Sequence, residues 1–149
     1  MIIQLVCAFV ATLGFGMLFG LRGKTLITGA FGGLLSWLIC LLVMGAQDDA
    51  YIGYLAAGAF CSLFGEICAR VFKAPATVFC IPAIVPLVPG NSLYRTMAAI
   101  VVKDLDAARS FGAATAQYAV SIAAGVSVIW AAFVIAENIA ERKKKKKAK

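Results

Sequence analysis

The stretch Pro82–Arg95 reads PAIVPLVPGNSLYR, and its three prolines, Pro82, Pro86 and Pro89, stand in an otherwise apolar segment. Each proline removes a backbone donor and pushes its ring against the preceding turn, so an undisturbed helix through all three is strongly disfavoured. Inside a bilayer the backbone groups freed by such a break must be satisfied by protein, water or a ligand, because hydrocarbon offers no partner. Whether this break lies in lipid or in water is decided by the rest of the chain.

The composition points to lipid. Hydrophobic residues make up 62% of the 149 residues and charged residues 14%, with a mean hydropathy of +0.93. A water-soluble domain carries about a quarter charged residues. The net charge of +7 does not describe a nucleic-acid face, because the last nine residues, Glu141–Lys149, hold seven basic side chains and one acidic. That places +6 in the tail and leaves +1 for everything else, with no basic stripe along a docking face. A lysine run beside a membrane segment fits instead a cytoplasmic tail near anionic lipid headgroups. There is no histidine, and Cys7, Cys40, Cys61, Cys68 and Cys80 all fall in apolar runs without a C-x-x-C pair. These cysteines read as reduced packing residues, and neither a metal nor another cofactor is expected.

About 20 apolar residues cross the hydrocarbon core as a helix. Five stretches approach that length: residues 2–21, 26–46, 51–69, a shorter one at 74–90, and 111–136. The first starts at the initiator methionine without a basic n-region or a small-residue cleavage site, so it reads as a span rather than a cleaved signal. The expected fold is therefore an all-α integral membrane protein of about five transmembrane helices. The fourth is broken by prolines; residues 1–140 form one membrane domain and residues 141–149 a basic tail. The stretch 92–102 is apolar but carries Arg95, and reads equally as a re-entrant, interfacial or spanning helix.

Five spans put Arg22 and Lys24, Arg70 and Lys73, and the tail on one side of the membrane. Asp48 and Asp49 fall on the other, with the mixed loop of Lys103, Asp104, Asp106 and Arg109. Positive residues collect in the cytoplasm, so the N-terminus is expected outside and the C-terminus inside. Small residues four apart, Gly16 with Gly20, Gly29 with Gly33 and Ser121 with Gly125, let helix backbones approach closely, as packing within the chain or in a homo-oligomer.

Few residues offer chemistry. After Pro89 and Gly90, Asn91 or Ser92 is suited to cap a new helix containing Tyr94 and Arg95, whose N-terminus suits a carboxylate. Broken helices of this kind form ligand sites in secondary transporters; the same prolines also serve as a plain kink or an external turn. Glu66 lies within a span, where a carboxylate is a candidate for ion coupling. Arg70 follows four residues later on the same face, and an interfacial ion pair explains Glu66 as well. Glu137 sits beside the tail. Gln117 and Ser121 share a face of the last span near Thr115 and Tyr118, lining a polar path or bonding across helices. No nucleophile–base pair, phosphate loop or carboxylate dyad is visible in the sequence, so an enzyme is not expected.

The longer stretch IPAIVPLVPGNSLYRTM, Ile81–Met97, resembles the signature of the threonine/serine exporter family, in its smaller C-terminal membrane unit. The core of the likeness is P-x-x-P-G-x-S-x-Y, here Pro86, Pro89, Gly90, Ser92 and Tyr94; Phe79 and the glycine-rich first spans also fit. The resemblance implies a five-span module in the bacterial plasma membrane, acting with a larger partner subunit that carries a soluble N-terminal region and its own spans. It implies export of threonine and serine, or in split members of dicarboxylates such as succinate, coupled to a proton or ion gradient. With the helix start read above, the expected substrate residues are Pro86, Pro89, Gly90, Asn91, Ser92, Tyr94 and Arg95, and the likeness favours transport over a plain kink. The other reading of the same features is a non-transporting scaffold whose prolines shape an interface with that larger chain.

Overall fold

The computed structural model describes residues 1–47 and 49–147, with side chains as far as Ile139. Asp48 of the acidic loop and the side chains of the basic tail lie outside the described residues. Helices α1 (Ile2–Leu18), α2 (Lys24–Gln47) and α3 (Ala50–Phe72) are followed by α4 (Ala76–Ile84), a 3₁₀ turn (Val85–Leu87), α5 (Gly90–Val101) and α6 (Leu105–Lys147). The described residues contain no strand.

The helix ends follow from local chemistry. α1 stops where Gly20 takes a left-handed conformation (φ 80°), and the Leu21 amide then reaches back to the Gly16 carbonyl at 3.0 Å. Gly20 is thus a C-terminal cap, which only a residue without Cβ adopts freely, rather than the second member of a packing pair with Gly16. The Asp49 carboxylate caps α3 by accepting from the Tyr51 amide at 2.9 Å. α3 ends on Lys73 in the left-handed region (φ 52°), with the Ala74 amide on the Ala69 carbonyl and Pro75 next in sequence. The α5–α6 turn repeats this device. Lys103 is left-handed (φ 59°), the Asp104 amide bonds the Ala99 carbonyl at 2.9 Å, and the Asp104 side chain accepts from the Ala107 amide.

The prolines act unequally. Pro82 is accommodated inside α4, buried against its neighbours. The helix yields only at Pro86 and Pro89, first tightening to 3₁₀ at Val85–Leu87 and then leaving helical geometry at Val88 (ψ 124°). It restarts at Gly90 with a bend of 51° between the two arms. The broken segment is accordingly longer than the sequence suggests, because α5 (residues 90–101) forms its second arm. The last helix likewise starts at Leu105 instead of residue 111.

Three helices, α2, α3 and α6 from Leu105 to Ile139, are each long and apolar enough to cross a membrane, and the bent α4–α5 pair passes the same test as one unit. α1, with 17 residues, stands at the short limit for a span. The chain is an all-α, multi-pass membrane protein.

The packing fixes which helix ends share a level. α3 and α6 run parallel: Tyr51 and Tyr54 meet Tyr118, Gly58 meets Ile122, and Arg70 meets Phe133 and Glu137. Leu21 and Leu26 cluster with Cys68, Phe72, Ala74 and Phe79, so Arg22, Lys24, Arg70 and Lys73 gather at one end of the bundle. Asp49 marks the opposite end. Tyr51 and Arg70 are 19 residues apart on α3, or roughly 29 Å, close to the thickness of a hydrocarbon core. Between these ends Cys40, Cys61, Ala57, Ala83, Leu87 and Ile122 form the core, and the Ser36 hydroxyl meets the Cys61 thiol at 3.0 Å. Four of the five free cysteines are buried or half-buried, and Cys7 is exposed.

Candidate functional site

The gap left by Val88 and Pro89 opens onto a cavity of about 400 Å³ near the Asp49 end of the bundle. All the spans contribute to its wall: Gln4 from α1, Trp37 and Met44 from α2, Tyr54 from α3, the segment Val88–Ser92 from the break, and Tyr118 from α6. Tyr54 and Tyr118 pack with tilted rings, centroids 4.6 Å apart, which holds both rings against this wall. The polar groups it offers are one carboxamide from Gln4, another from Asn91, a hydroxyl from Ser92 and two phenols. No charged side chain is part of the lining. The volume lies within the range of small-molecule pockets.

Helix α5 starts in the same wall. Pro89 takes the N-cap position and supplies the carbonyl bound by the Leu93 amide at 3.0 Å; no side chain caps this end. Asn91 and Ser92 therefore do not cap the helix. Proline's fixed φ starts it one residue earlier than expected, and both residues fall in its first turn. Their amides have no acceptor among the described residues, so two N–H groups and the positive end of the helix dipole are available at the cavity.

The other expected site residues lie elsewhere. Pro86, on the 3₁₀ turn, borders an apolar groove of about 280 Å³ with Gln4, Cys7, Ala8, Ala11 and Trp37. Tyr94 is 72% exposed on the outer face of α5, and the Arg95 guanidinium sits 5.5 Å over the Phe111 ring. Neither reaches the cavity lining. Gln117 and Ser121 border a separate groove with Tyr51, Ala116 and Val120. Glu66 stands 3.9 Å from Arg70, which donates a 2.9 Å hydrogen bond to Glu137 and lies over Phe133 at 4.6 Å. This cluster ties α3 to α6 at the basic end, 12 residues and roughly 18 Å along α3 from Tyr54. Of the expected substrate residues the structure brings together Pro89, Gly90, Asn91 and Ser92, and surrounds them with Gln4, Trp37, Met44, Tyr54 and Tyr118. One signal for these partners is present in sequence: Gln4 is a polar side chain early in an uncharged apolar run.

Among the described residues no cluster of three or more metal-ligating side chains occurs. Comparison with curated proteins and with solved structures returns no match. A family model described as "Threonine/Serine exporter, ThrE" matches residues 4–132, nearly the whole membrane domain, and the chain belongs to the threonine/serine exporter family.

Proposed function

We propose that the cavity at the α4–α5 break is the substrate site of an exporter subunit for small hydroxy-amino acids, threonine and serine. The observation that carries this reading is the coincidence of the break, the two unpaired amides of Asn91 and Ser92 and an uncharged polar lining in one cavity. A carboxylate fits the helix start, and a substrate hydroxyl fits the carboxamides and phenols around it. The lining holds neither a cation nor an anion, so a substrate ammonium and a second carboxylate alike meet only carboxamides and phenols in this chain. The choice of an amino acid over a dicarboxylate such as succinate rests on the family, and the larger partner subunit is where an opposite charge would come from.

In this reading the chain works beside that larger subunit in the bacterial plasma membrane, with its N-terminus outside and its basic tail in the cytoplasm. The basic residues gathered at one end and Asp49 at the other support the orientation. Glu66 serves as an anchor for Arg70 and not as the coupling group, given its partner and its distance from the cavity. The test is efflux of radiolabelled serine from cells carrying Asn91→Ala or Ser92→Ala. A severalfold loss of efflux with unchanged membrane insertion is expected, and full efflux in both variants refutes the site. Vesicles holding this chain alone, the partner alone, or both separate a transporting subunit from a scaffold. A scaffold predicts that the partner transports at full rate by itself.

A further inference from the structure

We infer that Cys61 is a positioning residue for the cavity: its thiol satisfies a backbone carbonyl orphaned by the break, and so fixes where α4 ends. In a 3₁₀ turn each amide bonds three residues back, so over Val85–Leu87 the Leu87 amide serves Ile84. In a continuing α-helix it would serve Ala83. Pro86 has no N–H to offer in its place. The Ala83 carbonyl is thus left without a donor from its own segment, on a residue that is fully buried. Hydrocarbon-depth carbonyls need a partner, and here it comes from another helix: the Cys61 thiol of α3 donates to Ala83 at 3.4 Å. That role rests on the reading of the cavity as the substrate site.

Counting protons supports the direction of this bond. The Ser36 hydroxyl of α2 stands 3.0 Å from the Cys61 sulfur and 2.7 Å from the Gly32 carbonyl. That carbonyl already holds the Ser36 amide within α2, so it does not need the hydroxyl. The arrangement that serves every group runs from the Ser36 hydroxyl to the sulfur and from the thiol to Ala83, using each proton once. α2, α3 and α4 meet through it in the core, where Cys61, Ala83 and Leu87 are all fully buried. The site depends on this contact through helix register. Without the thiol proton, the Leu87 amide is the remaining donor for Ala83, and recruiting it lengthens α4 by one residue. One more residue of α-helix turns the chain beyond it by about 100°. Val88–Ser92, which form one wall of the cavity, turn with it, and the amides of Asn91 and Ser92 leave their place beside Tyr54 and Tyr118.

Infrared spectroscopy of the full chain in lipid reads the bond without any transport. The S–H band of Cys61, assigned by difference against Cys61→Ser, is expected at lower frequency than that of an alkanethiol in hydrocarbon. It is expected to stay displaced in Ser36→Ala. A band at the free-thiol frequency overturns the proposal. So does a displacement lost in Ser36→Ala, which makes the hydroxyl the acceptor in place of Ala83. Transport reads the consequence, in inverted vesicles from cells carrying the chain and its larger partner. Cys61→Ala and Cys61→Ser have nearly the same volume and differ in the donor. Cys61→Ala is expected to raise the serine concentration for half-maximal uptake on the order of tenfold, and Cys61→Ser to restore it towards the parent value. Half-saturation unchanged in Cys61→Ala, or raised equally in Cys61→Ser, overturns the positioning role. Full transport in Asn91→Ala and Ser92→Ala refutes the substrate site instead, and the infrared band then decides whether the thiol holds the break.

Discussion

Replacing Gly58 with alanine probes whether α3 and α6 are held by backbone contact. A Cβ at Gly58 would stand 2.6 Å from the Ile122 carbonyl oxygen and 3.1 Å from its Cα, where ordinary contacts begin at 3.4 Å. Both neighbours are backbone atoms of a long helix, so no side chain can turn away and the two helices must separate by roughly 0.8 Å, a gap that forfeits a quarter to a half of the dispersion energy along the crossing. Overpacking of this kind costs about 1–3 kcal/mol. Alanine's better helix propensity returns at most about 1 kcal/mol. With the full propensity gain the net expectation is a loss of about 0–2 kcal/mol for Gly58→Ala, which is about 1–3 kcal/mol below a glycine-to-alanine change in open space, and a similar loss for Gly125→Ala, whose Cβ would press on the Leu55 carbonyl and the Ala59 amide. Gly14→Ala is the control: nothing lies within 4 Å of its Cβ, so only the propensity gain remains and stability should be unchanged or slightly higher. Reversible unfolding in mixed micelles, followed by circular dichroism against denaturing detergent, reads all three. If Gly58→Ala is as stable as Gly14→Ala, the close α3–α6 crossing is wrong.

Other outcomes follow from the same geometry. Lys103→Gly and Lys73→Gly relieve left-handed backbone at two helix caps and should each raise stability by up to about 1 kcal/mol in the same unfolding assay. Arg70→Gln should cost no more than about 1 kcal/mol, because the pair is half-exposed, and Glu66→Gln should leave serine efflux intact. Tyr118→Leu keeps apolar volume but removes a cavity phenol and its ring packing with Tyr54, and should lower efflux severalfold without loss of membrane insertion. A reporter fused after Lys149 should be active only in the cytoplasm.

Hydropathy and charge were enough to read the membrane class, the order of the apolar segments and the break between α4 and α5. These depend mostly on residue type: a run of apolar side chains needs lipid wherever it sits, and three prolines within eight residues force a break somewhere, although α4 accommodates Pro82 and yields only at Pro86 and Pro89. The small residues were less legible. Gly33 does meet another helix, at Thr12, and Gly125 meets α3, but Gly20 turned out to be a helix cap, and Gly58 and Gly53, each four residues before another small residue (Ser62 and Ala57), make close crossings that the spacing does not single out. Spacing says that two glycines share a face; it does not say which helix lies against that face. The length of the broken segment was hidden for a related reason. Arg95 breaks the apolar run of residues 92–102, yet in the fold its charge rests on Phe111, a residue 16 positions away.

The candidate site shows the same limit more sharply. Asn91 and Ser92 were readable because a helix start has a local signature. Gln4, Trp37, Met44, Tyr54 and Tyr118 reach them only through the packing of four other helices, and Tyr118 arrives because α6 runs parallel to α3 rather than antiparallel. Any fourth crossing between them makes α3 and α6 parallel; the break adds a detour. α5 carries the chain onward past the start of α3, the Lys103–Asp104 turn reverses it, and α6 returns along α5 before reaching Tyr118. An unbroken fourth helix would present a full backbone ladder to Tyr54 and Tyr118 and leave no free amides between them. The prolines therefore do two things at once. They free the donors at Asn91 and Ser92, and they turn α5 by 51° away from α4 so that the helix start lies open beside Tyr54 and Tyr118.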